Sequence, residues 1–192
     1  MMHKIADATA NWLVKANAIK SEDRELYSYA MYSFLFAVAP LMLTMVIGIL
    51  MNMFFESVLF ILPFVIIRKF SGGFHLKSPT VCIFVSTGII ISFLCLIKLV
   101  LNHGVYWPVM TATVLCAVQL FIKSPIDSEA RKLSEREVVV FGIIARCFVV
   151  LALALVTILA LSQEYAIAVP ICFGVILSGV LQLPCYFESK NK

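Results

Sequence analysis

Charge is scarce in this sequence. Only 14% of its 192 residues are Asp, Glu, Lys or Arg, against about 25% in an ordinary soluble domain. Hydrophobic residues supply 62%, and the mean hydropathy is +1.01. A soluble chain this short has too little interior to hide so much apolar surface, whereas lipid accepts Leu, Ile, Val and Phe on every side of a helix. The composition excludes a water-soluble globule and predicts one compact, all-α integral membrane domain.

Other absences narrow the chemistry. The first 29 residues carry Lys4, Asp7, Lys15, Lys20, Glu22, Asp23, Arg24 and Glu25, so no apolar core of a secretory signal peptide begins there and the first span has to serve as its own signal. Six cysteines (Cys82, Cys95, Cys116, Cys147, Cys172 and Cys185) include no C-x-x-C pair and no polar scaffold to staple. Metal clusters and disulfide frameworks are not expected. H-E-x-x-H and Gly-x-Ser-x-Gly are both missing, which removes the common zinc and serine signatures. The net charge of +4 is modest and the basic residues lie between apolar runs, so they read as topology signals rather than as a nucleic-acid surface.

The apolar runs that are present predict six spans. Residues 30–51 are long enough for one crossing, with Pro40 as a kink, since about 20 helical residues traverse the hydrocarbon core. The next run, 53–67, is short: about 15 residues rise roughly 22 Å, so it crosses only with thinning or as a re-entrant segment. Residues 79–101, 105–122, 138–161 and 165–187 supply the remaining four. The N-terminal segment carries four Lys and Arg, the loop around His75 three, the second polar loop four and the C-terminus two, while the three alternate turns carry none. By the positive-inside rule, both termini and both polar loops are expected on the cytoplasmic side of a cell membrane. The expected organisation is an amphipathic N-terminal segment (1–29), a six-span membrane domain (30–187) with polar loops at 68–82 and 123–137, and a short tail (188–192).

Reactive residues concentrate in the first polar loop. His75 is followed seven residues later by Cys82, with Gly72 and Gly73 just upstream, and paired glycines let backbone approach a substrate closely. Seven residues is nearly two helical turns, so a helix extended back to His75, or a loop folded over its first turn, brings base and nucleophile together. Ser78 is an N-cap candidate and Pro79 suits the first helical position, which puts Cys82 near a helix N-terminus where a thiolate and an oxyanion are both favoured. The bland alternative is a packing cysteine beside a solvating histidine. That alternative is the default for the other five cysteines, none of which has a nearby His on the same side.

The remaining charges admit two readings each. Arg68 and Lys69 suit a positive-inside anchor. Lys98 suits a snorkelling side chain, and Arg146, well inside the fifth span, divides evenly between snorkelling and function. The second loop mixes Lys123, Arg131, Lys132 and Arg136 with Asp127, Glu129, Glu135 and Glu137; it is either a solvated surface or a dock for an acidic peptide tail.

The stretch Arg68-Lys69-Phe70-Ser71-Gly72-Gly73-Phe74-His75-Leu76-Lys77-Ser78-Pro79-Thr80-Val81-Cys82 resembles the active-site region of the accessory gene regulator B (AgrB) family of peptide-processing membrane proteases. Its members pair a His in a Gly-x-His context with a Cys seven residues on, preceded by an Arg at the membrane edge. These fall on Gly73, His75, Cys82 and Arg68. The second loop also looks like the family's proline-bearing basic loop, although Ala130 stands before the basic pair in a region that often carries Asn and a second proline. The resemblance implies a cysteine endopeptidase with His75 and Cys82 catalytic and Arg68, Gly72, Gly73, Ser78, Lys123, Arg131, Lys132 and Arg146 binding substrate or supporting. It implies cleavage of a small AgrD-like propeptide, with an amphipathic helix and an acidic tail, through an acyl-enzyme that cyclises to a thiolactone or lactone signal for quorum sensing. No cofactor or metal is required. Membrane lipid is the other expected partner, nucleic acid is not, and a homodimer is left open. Ser71 and Ser78 are candidates for orienting His75, and a dyad is the simpler expectation. The rival class is a small-molecule or peptide transporter, suggested by Arg146, the short second run and Pro40, Pro63 and Pro170.

Overall fold

Each regular element among the described residues of the computed structural model, 2–71, 79–125 and 135–190, is helical. In chain order these are α1 (Met2–Lys15), a short 3-10 turn (Ser21–Asp23), α2 (Arg24–Leu50), α3 (Phe54–Ser71), α4 (Pro79–His103), α5 (Trp107–Lys123), α6 (Glu135–Leu161) and α7 (Tyr165–Lys190). The chain divides into two compact units, Met1–Leu43 and Thr44–Lys192.

In the first unit α1 lies antiparallel along the start of α2, joined by three contacts at four-residue spacing on both helices. His3 stacks on Tyr32 with centroids 4.1 Å apart, Ser28 donates to Asp7 at 2.6 Å, and Arg24 donates to Asn11 at 2.5 Å. Ala6 and Ala10 are buried between them. Residues four apart share a helix face, so one polar stripe of α1 meets one stripe of α2. That pairing explains why α2 begins at Arg24, six residues before the apolar run.

In the second unit α7 is the central helix, packed most extensively on α3 and α5 and also on α6 and α4. Its apolar stretch Tyr165–Leu183 is 67% buried, whereas Phe84–His103 of α4 and Arg136–Leu161 of α6 are each only 17% buried. Helices that are apolar all round yet face outward need lipid as their solvent. These three stretches are long and apolar enough to cross a membrane, while Val38–Leu50 and Trp107–Lys123 are shorter apolar helices.

Small residues let the central helix approach its neighbours closely. A Cβ on Gly174 would collide with the Phe60 carbonyl oxygen and come within 2.6 Å of Pro63 Cγ on α3, and one on Gly179 would come within 2.8 Å of Cys116 Cβ on α5. Such close backbone approach is how membrane helices gain packing without a hydrophobic drive between them. Phe93 of α4 joins the core by packing on Phe60 and Phe173, with centroids 5.7 and 5.8 Å apart.

Two boundaries differ from the sequence expectation. The apolar run ends at Ile67, but α3 continues through Arg68, Lys69 and Phe70 to Ser71, 18 residues in all. At 1.5 Å per residue it rises about 27 Å, closer to a full crossing than the run alone. Packing explains the extension: Arg68 lies over the Phe64 ring one turn back, and Phe70 contacts both Phe141 and Phe148 of α6. Likewise Lys123 is the last residue of α5 rather than the first of a loop, because the Ser124 N–H still bonds the Leu120 carbonyl. The three turns free of Lys and Arg are tight. Each has one residue in the left-handed region: Asn52 (φ 54°), Gly104 (φ 67°) and Gln163 (φ 61°).

Candidate functional site

Three helices of the second unit run in the same direction. Along α3 and α7, Phe60 meets Gly174, Ser178 donates to the Phe64 carbonyl at 3.5 Å, and Gln182 donates to the Ser71 carbonyl at 3.4 Å. Along α5 and α7, Cys172 contacts Met110 sulfur at 3.7 Å, Gln119 donates to the Gly179 carbonyl at 3.1 Å, and Gln182 donates to Ser124 Oγ at 3.0 Å. Residue numbers rise together in both series, so α3, α5 and α7 come to the same end of the unit. At the opposite end Tyr106 and Tyr165 stack with centroids 4.0 Å apart and planes 7° from parallel. That stack holds the α4–α5 turn beside the α6–α7 turn.

The same relationships locate the start of α4. Its end leads directly to Tyr106 beside the start of α7, and its middle packs Phe93 on Phe173, so α4 runs antiparallel to α7. Cys82 is the fourth residue of α4. Counting along each helix from the Phe93–Phe173 contact, Cys82 lies about 17 Å and Gln182 about 14 Å toward the common end. The nucleophile candidate and Gln182 therefore both lie toward the common end of the unit. The first N–H groups of a helix, here including those of Thr80 and Val81, have no partner within it, and the helix dipole is positive there, an arrangement suited to a developing anion.

Gln182 is 1% exposed, Ser71 1% and Ser124 4%. Three buried polar residues thus meet where α3 and α5 terminate, roofed by apolar packing of Ile67, Ala117, Leu120, Val149 and Val175. The chain toward His75 departs from Ser71 and the second polar loop departs from Ser124. Gly142 of α6 fits against this junction: a Cβ there would stand 3.1 Å from Pro125 Cδ and 3.6 Å from the Ser124 carbonyl oxygen.

Of the residues singled out in the sequence, Arg68 lies in the last turn of α3, Lys123 ends α5, and Arg146 lies on the exposed side of α6. Arg146 donates Nε to the Phe121 carbonyl at 3.2 Å and lies over the Phe121 ring. Gly72, Gly73, His75, Ser78, Arg131 and Lys132 lie outside the described residues. The arrangement brings the roots of both polar loops and the first turn of α4 to one end of one helical unit. Gln182 and Ser124 were not among the residues picked from the sequence. The signal for Gln182 was available, since an amide inside an apolar span is costly and calls for a partner.

A family model described as accessory gene regulator B matches residues 6–183. Two curated proteins of Clostridium perfringens are similar over a shorter stretch. An AgrB-like protein of strain SM101 (Type A) is 35% identical over 72 residues, and AgrB-like protein 2 of strain 13 (Type A) is 32% identical over 72 residues. Each match covers 38% of this chain and 33% of the relative, so it spans about a third of the curated relatives' length. No solved structure matches the chain.

Proposed function

Because the chain belongs to the accessory gene regulator B family, we propose that it is a membrane-embedded cysteine endopeptidase that removes the C-terminal part of an AgrD-like propeptide and supports closure of its ring. The observation that supports this most is the junction at Gln182, which ties together the roots of the two polar loops at the end of the unit toward which the first turn of α4 points. In this reading α2 to α7 make six crossings, with α3 and α5 the short ones, and both termini and both polar loops are cytoplasmic. The outward-facing apolar surfaces of α4 and α6 support the membrane setting.

Each residue then has a defined part. His75 takes the Cys82 proton, the thiolate attacks the scissile carbonyl, and the N–H groups of the first turn of α4 receive the oxyanion. As the C–N bond breaks, the imidazolium returns its proton to the leaving amine, which departs with the acidic tail. The acyl-enzyme thioester keeps the carbonyl activated. An internal Cys or Ser of the peptide then attacks it while His75 takes the attacking group's proton, the thiolactone or lactone forms as the Cys82 C–S bond breaks, and the imidazolium returns that proton to the Cys82 thiolate. Exchange of one thioester for another is nearly neutral, so no ATP is needed for a thiolactone. Arg68, Lys123, Arg131 and Lys132 supply positive charge for the acidic tail, and Gly72 and Gly73 let the peptide backbone approach.

The test is co-expression with a candidate propeptide, with cleavage read on gels and trapped acyl-enzyme by mass spectrometry. Cys82→Ser and His75→Ala should each abolish processing with near-normal abundance, since nucleophile and base act as a unit. Processing by Cys82→Ser at a near wild-type rate would sink cysteine catalysis. The transporter alternative leaned on Arg146, and that side chain has a helix-end carbonyl as its partner.

A further inference from the structure

We infer that Gln182 is a positioning residue for peptide processing: its amide nitrogen ties the last carbonyl of α3 to the first hydroxyl after α5 and so sets the spacing of the roots from which the two polar loops depart. This rests on the protease reading above.

The amide orientation follows from its partners. The Ser71 carbonyl can only accept, so Nε2 and not Oε1 faces it at 3.4 Å, and the second N–H goes to Ser124 Oγ at 3.0 Å. Oε1 is buried and has no hydrogen-bond partner among the described residues. Leaving a buried acceptor unpaired is unfavourable. Leu or Met here would leave no such acceptor unpaired, but neither could join Ser71 to Ser124. What the amide provides is register. Ser71 is the last residue of α3 and Ser124 the first beyond α5, and one side chain spans both. Joined this way, the two loop roots are held at one separation. A peptide held by its tail on one loop is then presented to the chemistry on the other. Misplacement by about 1 Å at a reacting centre can lower turnover by as much as a hundredfold.

The expected signature is a fall in kcat with KM nearly kept, because the tail still binds. Gln182→Met keeps length and volume and removes both donors; it should lower kcat between about 10- and 100-fold. Ser124→Ala removes one acceptor, keeps the fold, and should lower kcat by a smaller factor. Combined, the two should be non-additive, as expected for partners in one hydrogen bond. Ser178→Ala is the control: it deletes the buried hydroxyl one turn earlier on α7, with its bonds to Gly174 (3.0 Å) and to Phe64 of α3 (3.5 Å), without touching either root, and kcat should stay unchanged. A second readout is independent of catalysis. Spin labels on the exposed Lys69 and Ile122, in the full chain with its native cysteines replaced, report the separation of the ends of α3 and α5. Gln182→Met should broaden that distance distribution and Ser178→Ala should not. An unchanged distribution in Gln182→Met, or kcat retained in both Gln182→Met and Ser124→Ala, overturns the positioning role whatever Cys82→Ser does. A broadened distribution together with processing that survives Cys82→Ser leaves the positioning role standing and overturns the cysteine chemistry instead.

Discussion

Arg146 on α6 donates its Nε hydrogen to the main-chain carbonyl of Phe121 on α5 over 3.2 Å, with its guanidinium 5.7 Å from the centroid of the same residue's ring. Phe121 belongs to the last turn of α5, whose carbonyls have no partner inside the helix, and a cation there also complements the helix dipole. Arg146, whose sequence position suited either snorkelling or function, contributes a donor from a neighbouring helix to the end of α5. Arg146→Gln should lower stability by about 1 kcal/mol, with kcat and KM for processing close to wild type. Unfolding midpoints in detergent beside steady-state kinetics check this; a large KM increase at unchanged stability would return Arg146 to the substrate site.

Gly174 and Gly88 form a matched pair. A Cβ at Gly174 meets the Phe60 carbonyl and Pro63, while one at Gly88 meets nothing within 4 Å. Gly174→Ala should push α3 from α7 and destabilise by about 1–3 kcal/mol. Gly88→Ala should be neutral or stabilising by up to about 1 kcal/mol. Thermal unfolding of the two purified variants decides it, and equal effects would refute the close α3–α7 packing.

The cysteines separate by environment. Cys95 and Cys147 are exposed, so Cys95→Ala and Cys147→Ala should each stay within about 0.5 kcal/mol of wild type and process peptide normally. Cys116 stands against Gly179, with Sγ 3.1 Å from where a Cβ would sit. Cys116→Leu should therefore lower both stability and processing by forcing α5 from α7. Tolerance of Leu at 116 would show that this contact is not tight.

The stack of Tyr106 on Tyr165 puts the turns at 104 and 163 on one side of the unit. On the proposed topology, single cysteines at Asn102 and Gln163 should react with an impermeant maleimide in intact cells, and those at Lys77 and Ser128 only after permeabilisation. The reverse pattern would invert the topology, and labelling of Asn102 and Gln163 from different sides would contradict the stack itself.

Charge reversal at Arg131 and Lys132 should weaken cleavage of an acid-tailed peptide more than it lowers abundance, and raised salt should do the same to wild type. Cleavage unchanged under both conditions would leave a solvated loop with no docking role.

Much of this protein is written in local sequence. Helical membrane character follows from composition, since apolar runs with no charge to spare have no other way to satisfy their backbone in lipid. The turns follow from short-range chemistry, and the family was legible from a contiguous motif, the Gly-x-His…Cys pattern. Helix ends were less legible, because Arg68, Phe70 and Lys123 extend α3 and α5 through partners in space or through capping bonds rather than through hydropathy. Which helix sits at the centre was not legible at all: α4, α6 and α7 are similarly apolar, and only packing singles out α7, through Gly174 and Gly179 and the backbones they admit. Arg146 and Gln182 make the same point at single positions. Their partners lie 25 residues away at Phe121 and 58 and 111 residues away at Ser124 and Ser71. A polar group in lipid is explained by what it touches, and sequence order carries no record of contacts that form only when the helices assemble.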